Sequence, residues 1–327
     1  MKHLSIAITL ALLELAGRAG PAQAAGGRAE CIAPAKPGGG FDLTCQLVRD
    51  MLRLPLPQPA AEVDIKYMPG GIGAVVFDRA VTQRWSDPRM FVAFSSGSLL
   101  NLAQGKFGPH DPQDVRWLAA LGTEYGVVAV RKDSRIRSLQ ELRKLLAANP
   151  AGAVFGAGGA VGSQDWVKAA LLVKLAGADH RAMRFVSFEG GGQAIAALRG
   201  GHVEVFCGDA AEARGAFVAG DLKLLAVLAP NRLGTVFKDV PTARELGMDL
   251  VWPTVRGLYM GPGVSDKDRA EWASTLQRIM ATPVYARLLE SAALQPFPMA
   301  GPELDAYVLH QVQEMRALAR SLGLRVR

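Results

Sequence analysis

Short apolar runs alternate with amphipathic segments along nearly the whole chain, and this alternation constrains the fold more than any other feature. Glu30-Cys31-Ile32-Ala33, Glu62 to Tyr67, Phe91-Val92-Ala93-Phe94 and Gly126 to Arg131 read as strands. Ala153 to Phe155, Phe185-Val186, Val203 to Phe206, Leu224 to Leu228 and Leu258-Tyr259-Met260 continue the series. Between them lie helical stretches. Leu43, Leu47, Met51 and Leu52 share one face of the first, with Asp42 placed to cap it. Ser138-Leu139-Gln140-Glu141 reads as a capping box, and Asn149-Pro150 stops the helix it opens. Ser163 opens another that ends near Gly177, and Ser265 and Pro302 stand near helix starts in the largely helical C-terminal third. The strands are too apolar to face water. A mostly parallel sheet covered by helices on both faces is therefore expected, an α/β fold. No period of 20–50 residues repeats, which excludes a solenoid.

Glycine is abundant, 36 of 327 residues, against roughly 7% in average proteins. The excess falls where strands give way to helices: Pro37-Gly38-Gly39-Gly40, Pro69-Gly70-Gly71-Ile72-Gly73, Gly156 to Gly162, and Gly190-Gly191-Gly192. A helix N-terminus offers unpaired N–H groups and about half a positive charge, and glycine lets a ligand oxygen approach them. Open α/β sheets gather such loops at the carboxyl ends of their strands. Together they predict an anion pocket, with a carboxylate as the simplest occupant. Two roles are open to Ser163: helix cap, or hydroxyl donor to that carboxylate. Asp209 either orients a ligand hydroxyl or amine or caps the helix that follows.

The N-terminus reads as an address. Lys2 and His3 precede an apolar run, Leu4 to Leu15, broken only by Glu14; Ala22-Gln23-Ala24 then supplies a cleavage site after Ala24. The run is too short to span a bilayer, and no other stretch is long enough. Three cysteines remain beyond it, Cys31, Cys45 and Cys207, with no CxxC. A strand leaving Cys31 and a helix returning at Cys45 predict too wide a separation for a bridge, hence three idle thiols. The formal charge of +7 is dispersed, with no block of five basic residues, which speaks against nucleic acid and for small anions.

Catalytic and nucleotide motifs fail one by one. Gly156-Ala157-Gly158 starts a GxGxxG, but Val161 holds the third glycine position. There is no GxxxxGK[ST], GxSxG or HExxH, and His110, His180, His202 and His310 stand alone.

The order of the loops resembles the Bug-type solute-binding proteins of tripartite tricarboxylate transporters. Their Pro-x-x-Pro-Gly-Gly-x-x-Asp motif is similar to Pro34-Ala35-Lys36-Pro37-Gly38-Gly39-Gly40-Phe41-Asp42, and their second glycine loop to Met68-Pro69-Gly70-Gly71-Ile72-Gly73. A Gly-x-Gly-Ser ahead of a helix resembles Ala160-Val161-Gly162-Ser163, and a Val-Pro-Tyr-Lys-Gly segment resembles Val186-Ser187-Phe188-Glu189-Gly190. Leu198-Arg199-Gly200-Gly201-His202-Val203-Glu204 looks like the family's Leu-x-Gly-Gly-x-Val-Asp turn. Val240-Pro241-Thr242-Ala243-Arg244-Glu245-Leu246-Gly247 carries its Val-Pro-Thr-x-x-Glu-x-Gly intact. The chain departs from the pattern at Cys45-Gln46 (commonly Ala-Arg), Trp166 (commonly His), Ser187 (proline) and Glu189 (commonly Lys). An inward Glu189 would suit a ligand with an amine beside its carboxylate. Trp166 would either stack on a flat ring or pack.

The resemblance implies a type II periplasmic-binding fold and no metal or organic cofactor. One lobe would be residues 30–125 with 250–327, the other 126–249, and a carboxylate would lie between them. The implied contacts are Gly38, Gly39, Gly40, Phe41, Gly70, Gly71, Ser96, Gly162, Ser163, Gly190, Gly191 and Asp209. It implies a monomeric periplasmic receptor, exported by a cleaved signal peptide of residues 1–24, that delivers its ligand to a membrane permease. The competing readings are a secreted enzyme acting on a small carboxylate and a ligand-sensing subunit of a signalling system.

Overall fold

The structure, a computed structural model, describes residues 28–54 and 61–327. The leader reading of residues 1–24 falls outside the described residues. Three strand–helix units come first: β1 (Arg28–Ala33) and α1 (Gly40–Leu52), β2 (Glu62–Tyr67) and α2 (Ala74–Thr82), β3 (Met90–Ser95) and α3 (Ser96–Ala103). The long strand β4 (Arg116–Arg131) leads to α4 (Leu139–Ala148), β5 (Val154–Gly158), α5 (Gln164–Leu175), β6 (Arg184–Phe188) and α6 (Gly191–Arg199). Then follow β7 (Val205–Phe206), α7 (Ala210–Val218), β8 (Leu222–Leu228) and β9 (Pro253–Met260). The chain closes with α8 (Asp266–Met280), α9 (Pro283–Ser291), β10 (Met299–Ala300) and α10 (Pro302–Ser321).

The strand order is β2-β1-β3-β9-β4-β7-β5-β6, with β8 and β10 also on β4. β1 runs parallel to β2 and β3, and β5 runs parallel to β6 and β7. The join between these two parallel blocks is antiparallel: β9 lies between β3 and β4, and β8 pairs β4. The sheet is thus mixed rather than mostly parallel. β4 is the hinge of the arrangement, pairing β9 as far as Tyr125 and β8 from Gly126 onward. Its first ten residues escape the apolar pattern because Gly122, Thr123 and Glu124 interrupt it. Glu124 is nevertheless buried, held by Arg256 on β9.

Each block has its own apolar core. Phe91, Leu118, Leu258 and Leu276 pack under the first, and Val128, Phe155, Val167 and Leu172 under the second. The C-terminal helix ties the blocks together. α10 packs on α3, while Lys174 donates to the Ser321 carbonyl (3.2 Å) and the His180 ring lies 3.1 Å from the Leu322 carbonyl.

Two local expectations are corrected. Cys31 and Cys45 form a disulfide with Cα atoms 5.5 Å apart, leaving Cys207 as the buried free thiol. From Cys31 the strand travels only two residues, about 7 Å, before it ends. α1 then returns over five residues, about 7.5 Å. The two excursions match, so the helix brings Cys45 back level with Cys31. Asp42 does not cap α1; Gly39 holds the cap position. Asp42 sits in the first turn and reaches back, accepting from the Gly38 N–H (2.7 Å) and the Tyr67 hydroxyl (2.9 Å).

Candidate functional site

The helices that follow β1, β3, β5 and β6 all begin at the carboxyl ends of their strands, and the two blocks turn those ends toward each other. The N-termini of α1, α3, α5 and α6 converge on one cavity of about 500 Å³, its open mouth included. Gly39, Gly40 and Phe41 come from α1, Ser95, Gly97 and Asn101 from α3, and Gly190 and Gly191 from α6. Gly158, Ser163, Gln164 and Asp165 enter with α5, and Ala35, Ile72, Glu189, Glu212 and Arg256 complete the wall. Four helix N-termini facing one space create a positive field that favours an anion.

Local chemistry sets each wall element. Ser95 caps α3, accepting from the Gly97 N–H (3.2 Å), while Ser98 Oγ accepts from the Ser95 N–H (3.3 Å). Ser163 caps α5 by accepting from the Trp166 N–H (3.4 Å). Gly40 is constrained by space: a Cβ there would run into the Arg256 guanidinium. Two bonds join the segment after α3 to the loop before α5. Gln104 Nε2 donates to the Gly162 carbonyl (2.7 Å), and Lys106 Nζ donates to the Val161 carbonyl (2.6 Å). Burial lowers the Lys106 pKa to about 8.

A charge cluster lies at and behind the cavity floor. Asp209 is fully buried. It takes Lys168 Nζ at 2.7 Å, Arg256 Nη2 at 3.1 Å, the Thr254 hydroxyl at 3.1 Å and Gln164 Nε2 at 2.9 Å. Burial works to raise its pKa, but Lys168 and Arg256 outweigh it and hold it below the ordinary value. Lys168 also pairs with Asp165 (2.9 Å), and Arg256 Nε with Glu124. Among the described residues, Lys168 and Arg256 thus pair with three carboxylates, Glu124, Asp165 and Asp209, while a fourth, Glu212, lies near them without an ion pair. Burial, only partly offset by Arg256, lifts Glu124 to about 7. Burial with Asp209 and Asp165 nearby lifts Glu212 to about 8.

The profile of the "Tripartite tricarboxylate transporter family receptor" matches residues 98–324. The chain belongs to this receptor family. Among curated relatives, "UPF0065 protein in gbd 5'region" of Cupriavidus necator is 27% identical over 219 residues, 65% of this chain and 64% of that one. The match therefore spans less than two thirds of that relative. A second UPF0065 protein, from Bordetella pertussis, is 23% identical over 295 residues, 90% of this chain and 88% of the relative. Among solved structures, MatC of Rhodopseudomonas palustris with bound malate has a TM-score of 0.77 at 22% identity, covering 89% of this chain and 98% of that one. Rpa4515 of R. palustris with adipate has 0.81 at 16% identity, covering 91% and 98%. The periplasmic binding protein BugD has 0.80 at 18%, covering 92% and 99%. The receptor shares their periplasmic-binding fold.

In this receptor, six of the twelve residues expected at the ligand line the cavity: Gly39, Gly40, Phe41, Ser163, Gly190 and Gly191. The other six take different places. Gly38 turns its N–H to Asp42. Gly70 and Gly71 shape the turn into α2, from which Ile72 reaches the wall. Ser96 Oγ accepts from the Val255 N–H (2.9 Å), tying α3 to β9. Gly162 offers its carbonyl to Gln104. Asp209 stands behind the wall, at the cap position of α7 but with no side-chain capping bond. Trp166 packs edge-on against His180, centroids 5.7 Å apart, rather than facing the cavity. Sequence reasoning missed Gln164, although it directly follows the Gly162-Ser163 motif, and it missed Glu212 and Arg256, single residues inside regular elements with no neighbouring motif.

Proposed function

We propose that this receptor captures a small carboxylate in the cavity through the backbone amides of its glycine-rich loops, and presents it to a membrane permease of the tripartite tricarboxylate type. Residues 30–125 with 250–327 form one lobe and 126–249 the other, and residues 1–24 direct export to the periplasm. The convergence of four helix N-termini on one space carries this reading. A carboxylate is one of the anions that helix N-termini hold, and it can meet such donors at two oxygens. The malate and adipate bound by the structural neighbours support the ligand class. An enzyme working through the Ser163 nucleophile would need a base beside it. Among the described residues the wall holds no histidine, and the Ser163 hydroxyl oxygen accepts from the backbone instead.

Calorimetric titration of residues 25–327 with malate, succinate and adipate tests the reading, with the ligand recovered afterwards. Binding of one equivalent, unchanged on recovery, is expected for at least one compound. At about 100 times its dissociation constant that ligand adds about 2.7 kcal/mol of stability. Turnover of the compound, or a folded protein that binds no carboxylate, overturns it.

A further inference from the structure

The cavity already contains a carboxylate of its own, set against two helix N-termini. Glu212 comes from the first turn of α7, and its Oε1 accepts from the Gly40 N–H at 2.6 Å. Its other oxygen lies so close over Gly191 that a Cβ there would strike it. The N-termini of α1 and α6 thus meet over Glu212. Among the described residues Glu212 has no cation within salt-bridge distance, because Arg256 and Lys168 are engaged by Glu124, Asp209 and Asp165.

A second acceptor is unmet. Gln164 Nε2 is fixed on Asp209, which is itself fixed by Lys168, Arg256 and Thr254. This turns Gln164 Oε1 the other way, against Gly97 on the cavity wall, where it is buried with no hydrogen-bond partner among the described residues. Buried acceptors of this kind are rare unless a donor arrives from elsewhere. The wall therefore offers an unpaired carboxylate and an orphaned amide oxygen on one hand, and the N-termini of α3 and α5 on the other.

Resting on the carboxylate-receptor reading, we infer that the ligand is a small zwitterion. Its protonated amine is taken by Glu212 and Gln164 Oε1, and its carboxylate by the N-termini of α3 and α5. Glu189, exposed at the rim, adds negative charge on the same side. The titratable groups around Glu212 agree. Burial, Asp209, Asp165 and Glu124 raise its pKa to about 8 against the pull of Arg256. An arriving ammonium supplies the missing positive charge, so binding near neutral pH releases a proton.

The test is calorimetric titration of residues 25–327 with matched pairs that differ by one amine: succinate and aspartate, glutarate and glutamate, propionate and β-alanine. In at least one pair the amine-bearing member should bind ten-fold or more tightly than its partner, with proton release seen as a buffer-dependent enthalpy at pH 7. Glu212→Gln, which keeps an acceptor for Gly40, should cut that preference below about three-fold. Gln164→Met should erode it too, and supplies the reading if Glu212→Gln does not fold. Amine-free members binding as tightly as their partners would overturn the zwitterion and leave the carboxylate receptor standing, with Glu212 then an internal anion that the ligand displaces. A preference that survives in both variants would overturn the assignment to Glu212 and Gln164. Failure of every compound to bind would overturn this inference together with the receptor reading.

Discussion

Asp209 and Glu212 stand three residues apart at the start of α7, yet their surroundings are opposite. Asp209 lies behind the cavity wall and is met by Lys168, Arg256, Thr254 and Gln164. Glu212 lies in the wall, met among the described residues by a single backbone N–H, from Gly40. Burial acts on both. At Asp209 the two cations more than offset it, so the carboxyl stays ionised and orders the wall from behind. At Glu212 nothing offsets it fully, and the pKa rises to about 8. A buried charge with its partners supplied is architecture; one lacking partners and facing a cavity is available for recognition. α7 carries one of each on a single turn.

The largest break of this contrast is Lys168→Met. It removes a cation from Asp209 and Asp165 and leaves both carboxylates buried with too little positive charge. A loss of about 3–5 kcal/mol is expected in denaturant unfolding. A loss below about 1 kcal/mol would mean the cluster behind the wall is not held by ion pairs. Next comes the joint replacement Cys31→Ser with Cys45→Ser. The bridge closes a loop with sequence separation 14, worth about 3 kcal/mol. It anchors the helix that presents Gly40 to Glu212, so thermal melting should fall while ligand preference stays.

The pH dependence sharpens the contrast from the other side. Glu124 and Glu212 both sit above their ordinary value of 4.5, at about 7 and about 8. The stability that goes with their protonated forms is complete below about pH 4.5 and is lost as pH rises through 7 and 8. The slope approaches about 1.4 kcal/mol per pH unit for each group. Glu212→Gln removes the upper step. Unfolding free energies of variant and wild type should therefore coincide near pH 5 and separate toward pH 9, with the variant the more stable. The smallest effect is Ser163→Ala, which loses the α5 cap and about 1 kcal/mol, read as a melting shift of a few degrees.

Much of the fold was legible because buried strands leave continuous apolar runs, such as Phe91-Val92-Ala93-Phe94, and because glycine clusters mark the turns into α1, α5 and α6. The cavity was legible to the same depth: its amide-bearing wall is local, written in loops such as Gly38-Gly39-Gly40. Its charges are not local. Glu124 meets Arg256 across 132 residues and Asp209 meets it across 47, so no window of sequence contains either pair. Asp209 attracted notice because it follows Gly208 at a strand end. Glu212 attracted none, because a glutamate in the first turn of a helix is ordinary. Their roles are separated by distant elements: Lys168 from α5 and Arg256 from β9 reach Asp209 and form no ion pair with Glu212. The Cys31–Cys45 bridge was missed for a similar reason: it depends on α1 lying back along β1, which residue spacing alone does not specify.

Ligand capture in the cavity among the helix N-termini is the central claim, and Gly190 gives direct access to it. Its backbone is extended (φ 178°), and among the described residues a Cβ there would have only the Ala35 Cβ, at 3.9 Å, within 4 Å. Gly190→Leu should therefore fill the cavity without straining the fold. Calorimetric titration of this variant with the carboxylate that binds wild type best should show at least a hundred-fold loss of affinity at an unchanged melting temperature. Affinity retained within two-fold would place the ligand elsewhere and contradict the claim.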